Sequence, residues 1–276
     1  MARDLEVDEL EMALILDAIH ARYGYDLRGY APDSLRRRLR DALVRSGLSH
    51  FGELQHRLIH DPSFFTALLD HLTVQVTEMF RDPAFYRAFR ERVTPILRTY
   101  PELRIWHAGC ASGAEVYATA IVLLEEDLYD RAQIYATDLS ASALERAREG
   151  IFPDKVAGDF ESNYFASGGK RKLDEYYSRA YGSVAMRESL RRHVVFFQHN
   201  LVSDFALGEM HAIFCRNVLI YFGGELRQRV VSMFAEGLCR GGFLCLGASE
   251  SLPESASGLF SEFCPRERIY RHKGAA

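Results

Sequence analysis

The stretch FCRNVLIYF, Phe214–Phe222, sets an arginine and an asparagine side by side in the middle of an apolar run. A guanidinium taken out of water without a partner costs several kcal/mol. Arg216 and Asn217 therefore mark where a buried strand, HAIFC (211–215), leaves the core and enters the mouth of a ligand cleft.

Working outward, three more strands end the same way. From Leu103 onward, short apolar runs alternate with amphipathic helical stretches, the pattern of a parallel sheet covered by helices on both faces. The runs are LRIWHA (103–108), QIYAT (133–137), HVVFF (193–197) and HAIFC, and they are followed by GCASG (Gly109–Gly113), Asp138, Asn200 and Arg216-Asn217. Open α/β sheets bind ligands outside the carboxyl ends of their strands, where the strand order reverses. Helices are expected over Glu115–Glu126, after Ser140 as N-cap, and over Gly224–Cys239. GGFLCLG (Gly241–Gly247) and ERIYRH (Glu267–His272) are expected to form a terminal antiparallel pair.

The glycines of GCASG would let the backbone approach a ligand. Asp138, about thirty residues on, stands where a ribose diol is commonly held, although the same residue also reads as a turn or helix cap. Glu115 in the first turn of the following helix would repel a phosphate and suits a cationic group, which favours S-adenosylmethionine over NAD.

Upstream of the sheet the pattern is helical only, with apolar residues at helical spacing over Leu10–Ile19, Leu35–Leu48, Phe51–Ile59 and Phe64–Leu72. Asp61-Pro62 and Asp82-Pro83 each place a capping carboxylate before a proline at the first helical position. LRRRLR (Leu35–Arg40) is either a solvated helix face or a dock for an acidic partner surface. With 48% hydrophobic and 26% charged residues disorder is excluded, and no apolar run nears the roughly 18 residues of a membrane span. A net charge of −4 gives no general pull towards nucleic acid. The five cysteines lack a CxxC pair, which argues against a disulfide framework and against a zinc site. No metal is expected, and the acidic N-terminus without a signal-peptide core points to the cytoplasm.

The combined pattern resembles the chemotaxis receptor glutamate methyltransferases, the CheR family. The resemblance is carried by TVQVTEMFRD (73–82), GCASGAEVYATA (109–120), ATDLSASALERAREGIF (136–152), QHNL (198–201) and FCRNVLIYF. It implies an α/β fold: a Rossmann-like S-adenosylmethionine methyltransferase domain with a mostly parallel sheet and a small antiparallel insertion, preceded by an all-helical N-terminal domain. The expected boundaries are 1–76 for the helical domain and 77–276 for the methyltransferase domain, with a linker helix over 83–99 and an insertion over about 153–192. The cofactor-binding positions it implies are Gln75, Thr77, Arg81, Gly109, Gly113, Glu115, Asp138, Asn200, Leu201, Arg216 and Asn217. Where the family reads STGEEPYS this chain reads SGAEVYA, so Ala114, Val116 and Ala118 depart from the pattern and Glu115 is kept. Gln75 replaces an asparagine.

The implied reaction is displacement by a substrate glutamate carboxylate at the sulfonium methyl, leaving a methyl ester and S-adenosylhomocysteine. A glutamate of pKa about 4.3 is ionised at neutral pH and needs no general base. Orientation then dominates, since aligned reactants reach effective molarities on the order of 10⁵ M. Arg81 and Arg216 are expected to position carboxylates, with Tyr221 as a nearby hydroxyl donor; Arg81 can serve the carboxylate of either cofactor or substrate. The implied partner is the cytoplasmic domain of a chemoreceptor or related signalling protein, docked through the Arg36–Arg40 helix, with the enzyme acting as a monomer that neither binds nucleic acid nor inserts in a membrane. Two readings compete: an oxidoreductase of the same general fold, and a non-catalytic module that senses the cofactor or docks a receptor.

Overall fold

The computed structural model describes residues 7–72 and 78–274. It divides into two compact units, Met1–Val74 with Tyr221–Arg227, and Gln75–Ile220 with Gln228–Ala276.

The first unit is helical: α1 (Val7–Tyr23), α2 (Pro32–Ser46), α3 (Phe51–His60) and α4 (Pro62–Leu72). Its core is the stripe that the spacing predicts, with Ile15, Ile19, Leu35, Leu39, Leu54, Leu58 and Leu68 buried. Asp61 caps α4 as expected, its Oδ1 accepting from the amides of Ser63 and Phe64 at 3.0 and 3.1 Å. The arginines of α2 divide by face. Arg38 is buried: its guanidinium donates to the Leu72 carbonyl oxygen and lies 4.4 Å from the centroid of the Tyr221 ring. Arg36 and Arg40 pair at the surface with Glu9 and Asp8 of α1, at 2.8 and 2.9 Å.

The second unit opens with α5 (Pro83–Ala88), which passes through a π-turn at Phe89–Val93 into α6 (Thr94–Leu97). The widening falls just before Pro95, which has no N–H to continue an α-helical ladder and whose ring would strike the preceding turn. It turns Arg90 inward, onto Glu125 at 2.6 Å and Glu126 at 3.5 Å. Then follow β1 (Leu103–Ala108), α7 (Ala114–Glu125), β2 (Ala132–Asp138), α8 (Ala141–Glu149), β3 (Ile151–Pro153), α9 (Ala157–Ala166), β4 (Tyr177–Ala180), β5 (Ser183–Met186), β6 (Val194–Gln198), β7 (Met210–Cys215), α10 (Gly224–Gly237), β8 (Leu238–Leu246), β9 (Phe260–Cys264) and β10 (Ile269–His272).

The main sheet has the order β6-β2-β1-β7-β8-β10-β9. The strands from β6 to β8 run parallel, and β10 is antiparallel to both β8 and β9. From β1 the chain steps outward to β2 and β6, then returns across β1 to β7, so the strand order reverses between β1 and β7. The fold is the one expected, a helical N-terminal part followed along the chain by a mostly parallel sheet, with β3, β5 and β4 forming a small separate antiparallel sheet. Two details differ. β8 grows directly out of α10 without waiting for the Gly241-Gly242 pair, and the terminal antiparallel pair gains a third strand, β9, so that the last strand, β10, lies between β8 and β9. FSEFC is too short and too polar to stand out as a strand; it is held by pairing with β10.

Candidate active site

At the carboxyl end of β1 the amides of Gly109 and Cys110 both donate to the Thr137 carbonyl oxygen at 2.8 Å, tying the glycine loop to β2. Gly109 and Gly113 have φ of +83° and +82°, and between them Ala111 has φ +46°. An alanine in that region costs on the order of 1 kcal/mol, and Asp138 supplies the compensation. Its Oδ2 accepts from the Ala111 amide at 2.8 Å and its Oδ1 from the Ser140 amide at 3.0 Å. Asp138 is buried and fixes the loop. The glycines answer to protein neighbours as well as to any ligand: a Cβ on Gly109 would lie 2.6 Å from Val218 Cγ2, and one on Gly113 2.9 Å from Ala147 Cβ. The Cys110 thiol, pushed well up by burial, is no nucleophile.

Glu115, in the first turn of α7, sits at the strand-order reversal. Its Oε1 is 3.1 Å from His107 Nδ1 and its Oε2 accepts from Arg216 Nη1 at 2.9 Å. Burial alone would raise its carboxyl; the hydrogen bond from His107 and the charge of Arg216 outweigh that and hold it below the ordinary range. Arg216, at the end of β7, also donates through Nη2 to Asp82 at 2.7 Å and to the Arg81 carbonyl oxygen at 3.2 Å, with its guanidinium 4.1 Å from the Phe85 ring centroid. Desolvation opposes the charge on Arg216, and the surrounding carboxylates more than restore it. His107 is fully buried, stacks on Phe214 at 4.5 Å, and joins the cluster through one nitrogen.

Arg216 thus spends both terminal nitrogens on the chain's own groups. Asp82, expected to cap α5, makes no capping hydrogen bond. It adopts φ +57°, and its carboxylate turns to Arg216 instead, because a buried guanidinium needs a counter-charge more than a short helix needs a cap. The Arg81 side chain is exposed and has no carboxylate within ion-pair distance among the described residues. Asn200 lies beside Asp138, since the next amide back along its strand, His199 N, donates to the Asp138 carbonyl oxygen at 3.2 Å. The Asn200 side-chain oxygen closes its own turn by accepting from Val202 N at 2.9 Å, and Leu201 is buried. Asn217 has φ +62°, a region that asparagine tolerates better than most residues. Tyr221 falls in the helical unit, with its ring against Arg38. Gln75 and Thr77 lie outside the described residues.

Asp138, the glycine loop, Glu115, Arg216 and Asp82 therefore form a continuous series across the carboxyl ends of β2, β1 and β7. With strands spaced about 4.8 Å apart, this series spans roughly 10 Å. Two carboxylates, Glu115 and Asp82, face Arg216, and with Asp138 the series carries three carboxylates to one arginine, an electrostatic setting that repels a pyrophosphate and favours a cationic ligand. Among the described residues no group of three or more His, Cys, Asp or Glu side chains can hold a metal ion.

The profile described as "CheR methyltransferase, SAM binding domain" matches residues 75–266, and that described as "CheR methyltransferase, all-alpha domain" matches residues 10–73. The chain belongs to the CheR methyltransferase family. It is a methyltransferase whose cofactor is S-adenosylmethionine, and the carboxylate-rich strand ends fit that sulfonium cofactor. A Pseudomonas putida relative named as methyltransferase Cher3 is 44% identical over 264 residues, 95% of this chain and 97% of its own. A chemotaxis protein methyltransferase of Vibrio parahaemolyticus is 34% identical over 218 residues, covering 75% and 76% of the two chains, and chemotaxis protein methyltransferase 1 of Vibrio cholerae is 31% identical over 252 residues, covering 87% and 88%. No helix among the described residues of this CheR family member is long and apolar enough to cross a membrane.

His107 stands at no ligand spacing in the sequence, and its place as the penultimate residue of β1 is the signal that brings it to the site.

Proposed function

We propose that the chain methylates glutamate side chains on a chemoreceptor or related signalling protein, giving methyl esters and S-adenosylhomocysteine. The observation that carries this reading is the pairing within the acidic cluster. Glu115 is tied to His107 and Arg216, and Asp82 to Arg216, so neither carboxylate stands free as a general base. Such a site suits a nucleophile that is already ionised at neutral pH, as a glutamate is, better than an amine or alcohol that must lose a proton.

When bound, the cofactor supplies an electrophilic methyl on a sulfonium. The chain's own groups then have to bind and orient. Asp138 is suited to ribose hydroxyls and Glu115 to the cofactor's ammonium, while Asn200 and Asn217 offer amides and Leu201 an apolar surface. Gln75 and Thr77 join this set by resemblance. Arg216 acts as the positioning residue that sets the Glu115 carboxylate, and the exposed guanidinium of Arg81 is open to the carboxylate of cofactor or substrate. As the carbon–sulfur bond breaks and the oxygen–carbon bond forms, opposite charges cancel, so alignment matters more than a strong ion pair on the attacking oxygen. Tyr221 is assigned no step.

The partner reading rests on α2. Arg37 is exposed, and Arg36 and Arg40 are held only by surface pairs, which are worth at most about 1 kcal/mol and exchange readily for a partner's carboxylates. Two Vibrio relatives carry chemotaxis in their names, which supports a receptor substrate. The test is incubation with methyl-labelled S-adenosylmethionine and receptor-bearing membranes. Label released by mild base is the expected result; S-adenosylhomocysteine binding without such label would favour the non-catalytic module.

A further inference from the structure

Glu250 is a buried carboxylate outside the series that spans the ends of β2, β1 and β7. It is 4% exposed and has no cationic partner among the described residues. Three backbone amides donate to it. Oε2 accepts from Gly247 N at 2.6 Å and from Asn217 N at 2.8 Å, and Oε1 accepts from Ile220 N at 3.2 Å. Desolvating a carboxylate for three neutral donors is costly, and the donors are not arbitrary. Two belong to the turn after β7, the turn that begins with Arg216 and Asn217, and the third to the end of β8.

That turn needs holding. Asn217 sits at φ +62° and is therefore strained unless something specifies its conformation. Gly247 shows how closely the two strand ends approach: a Cβ there would lie 2.8 Å from both Asn217 N and Glu250 Oε2. On its other side the same turn seats Val218 against Gly109 of the cofactor loop. Arg216, its first residue, reaches Glu115. Any drift of the turn would move both.

We propose that Glu250 is a positioning residue for cofactor binding: its carboxylate clamps the 217–220 turn to the end of β8, and through that turn it sets Arg216 and the seat of Val218 on the glycine loop. The inference rests on the cofactor assignment of the strand ends and extends it to a residue outside them. A carboxylate is required because it presents acceptors alone; the amide of a glutamine would turn an NH₂ group towards one of the backbone N–H groups.

The test is Glu250→Gln in the full chain, read in two ways. Calorimetric titration with S-adenosylhomocysteine should show binding weakened about tenfold, the factor for one lost charge-assisted hydrogen bond, with the KM for S-adenosylmethionine rising in parallel and kcat within about twofold of wild type. Hydrogen exchange should quicken at the Asn217 and Ile220 amides while the rest of the sheet keeps its protection. Unchanged affinity would overturn the proposal, as would exchange that quickens throughout the sheet, since general loosening would then account for the weaker binding. Glu250→Ala gives a stronger version of the same local signature if the glutamine variant relaxes around its amide. Failure of the wild-type chain to bind S-adenosylhomocysteine would count against the cofactor assignment, and the exchange pattern would still report on the clamp.

Discussion

Arg216 was legible as an anomaly, a charge in an apolar run, and its partners were not. Sequence places Glu115 and Asp82 more than a hundred positions away from it, and only the return of the chain from β6 across β1 to β7 brings the three together. The same distance hid His107, which reads alone as a core histidine, and Glu250, whose partners are backbone groups that leave no mark in a sequence. The pairing makes Arg216 a structural as well as a functional residue. Arg216→Met removes the guanidinium that Glu115 and partly exposed Asp82 share, and breaking a buried pair in this way costs about 3 kcal/mol or more. Adding Glu115→Gln should return part of that stability, with a coupling of about 1 kcal/mol or more in a double-mutant cycle followed by denaturant unfolding; additive losses would mean the pair is not energetically linked. The pH dependence follows from the same contact. Because the folded Glu115 carboxyl lies below its ordinary value, it adds stability above the unfolded pKa of about 4.3, and this is lost as pH falls through the folded value. The stability gap between wild type and Glu115→Gln should therefore be constant from pH 5 upward, by order of magnitude of these pKa values, and should close in more acid solution. A gap that instead widens on acidification would contradict the direction of the shift.

At the level of elements, the strands with a buried face and a polar end were readable, because burial writes an apolar run and the exit from the core writes a charge or a glycine. β9 and the π-turn at Phe89–Val93 were not, since pairing with β10 makes the first and the place of Pro95 relative to Arg90 makes the second. The glycine loop was readable as a pattern and incomplete as a reason. GCASG suggested room for a ligand, whereas Gly109 is constrained by a positive φ and by Val218. These two constraints can be separated. Gly109→Ala should lower both stability and S-adenosylhomocysteine affinity, since its Cβ would overlap Val218 by about 1 Å relative to ordinary contact. Trimming the neighbour, as Gly109→Ala with Val218→Ala, should recover the steric part and leave the conformational cost of about 1 kcal/mol. Recovery to the level of Val218→Ala alone would show that conformation contributes nothing; no recovery would show that the contact does not matter.

For the molecule as a whole, composition and charge excluded classes of function without choosing one, and the choice came from the order in which motifs recur along the chain. The acidic cluster and the arginines of α2 belong to different compact units, which gives cofactor binding and partner binding separate residues to depend on. Under the receptor reading, α2 should contribute only to the second. Arg37 is exposed, and Arg36 and Arg40 would exchange their surface pairs with Glu9 and Asp8 for carboxylates of the partner. Such contacts act between solvated charges and are screened beyond about 8 Å at physiological salt. The charge reversal Arg37→Glu should therefore raise the KM for receptor membranes several-fold and flatten its dependence on salt, while kcat, thermal stability and S-adenosylhomocysteine affinity stay at wild-type values. Raising salt on the wild type should imitate the variant by increasing KM for the membranes alone. If Arg37→Glu left the membrane KM untouched at low salt, where unscreened charge weighs most, α2 would be a solvated helix face and the acidic partner surface would have to meet the enzyme elsewhere.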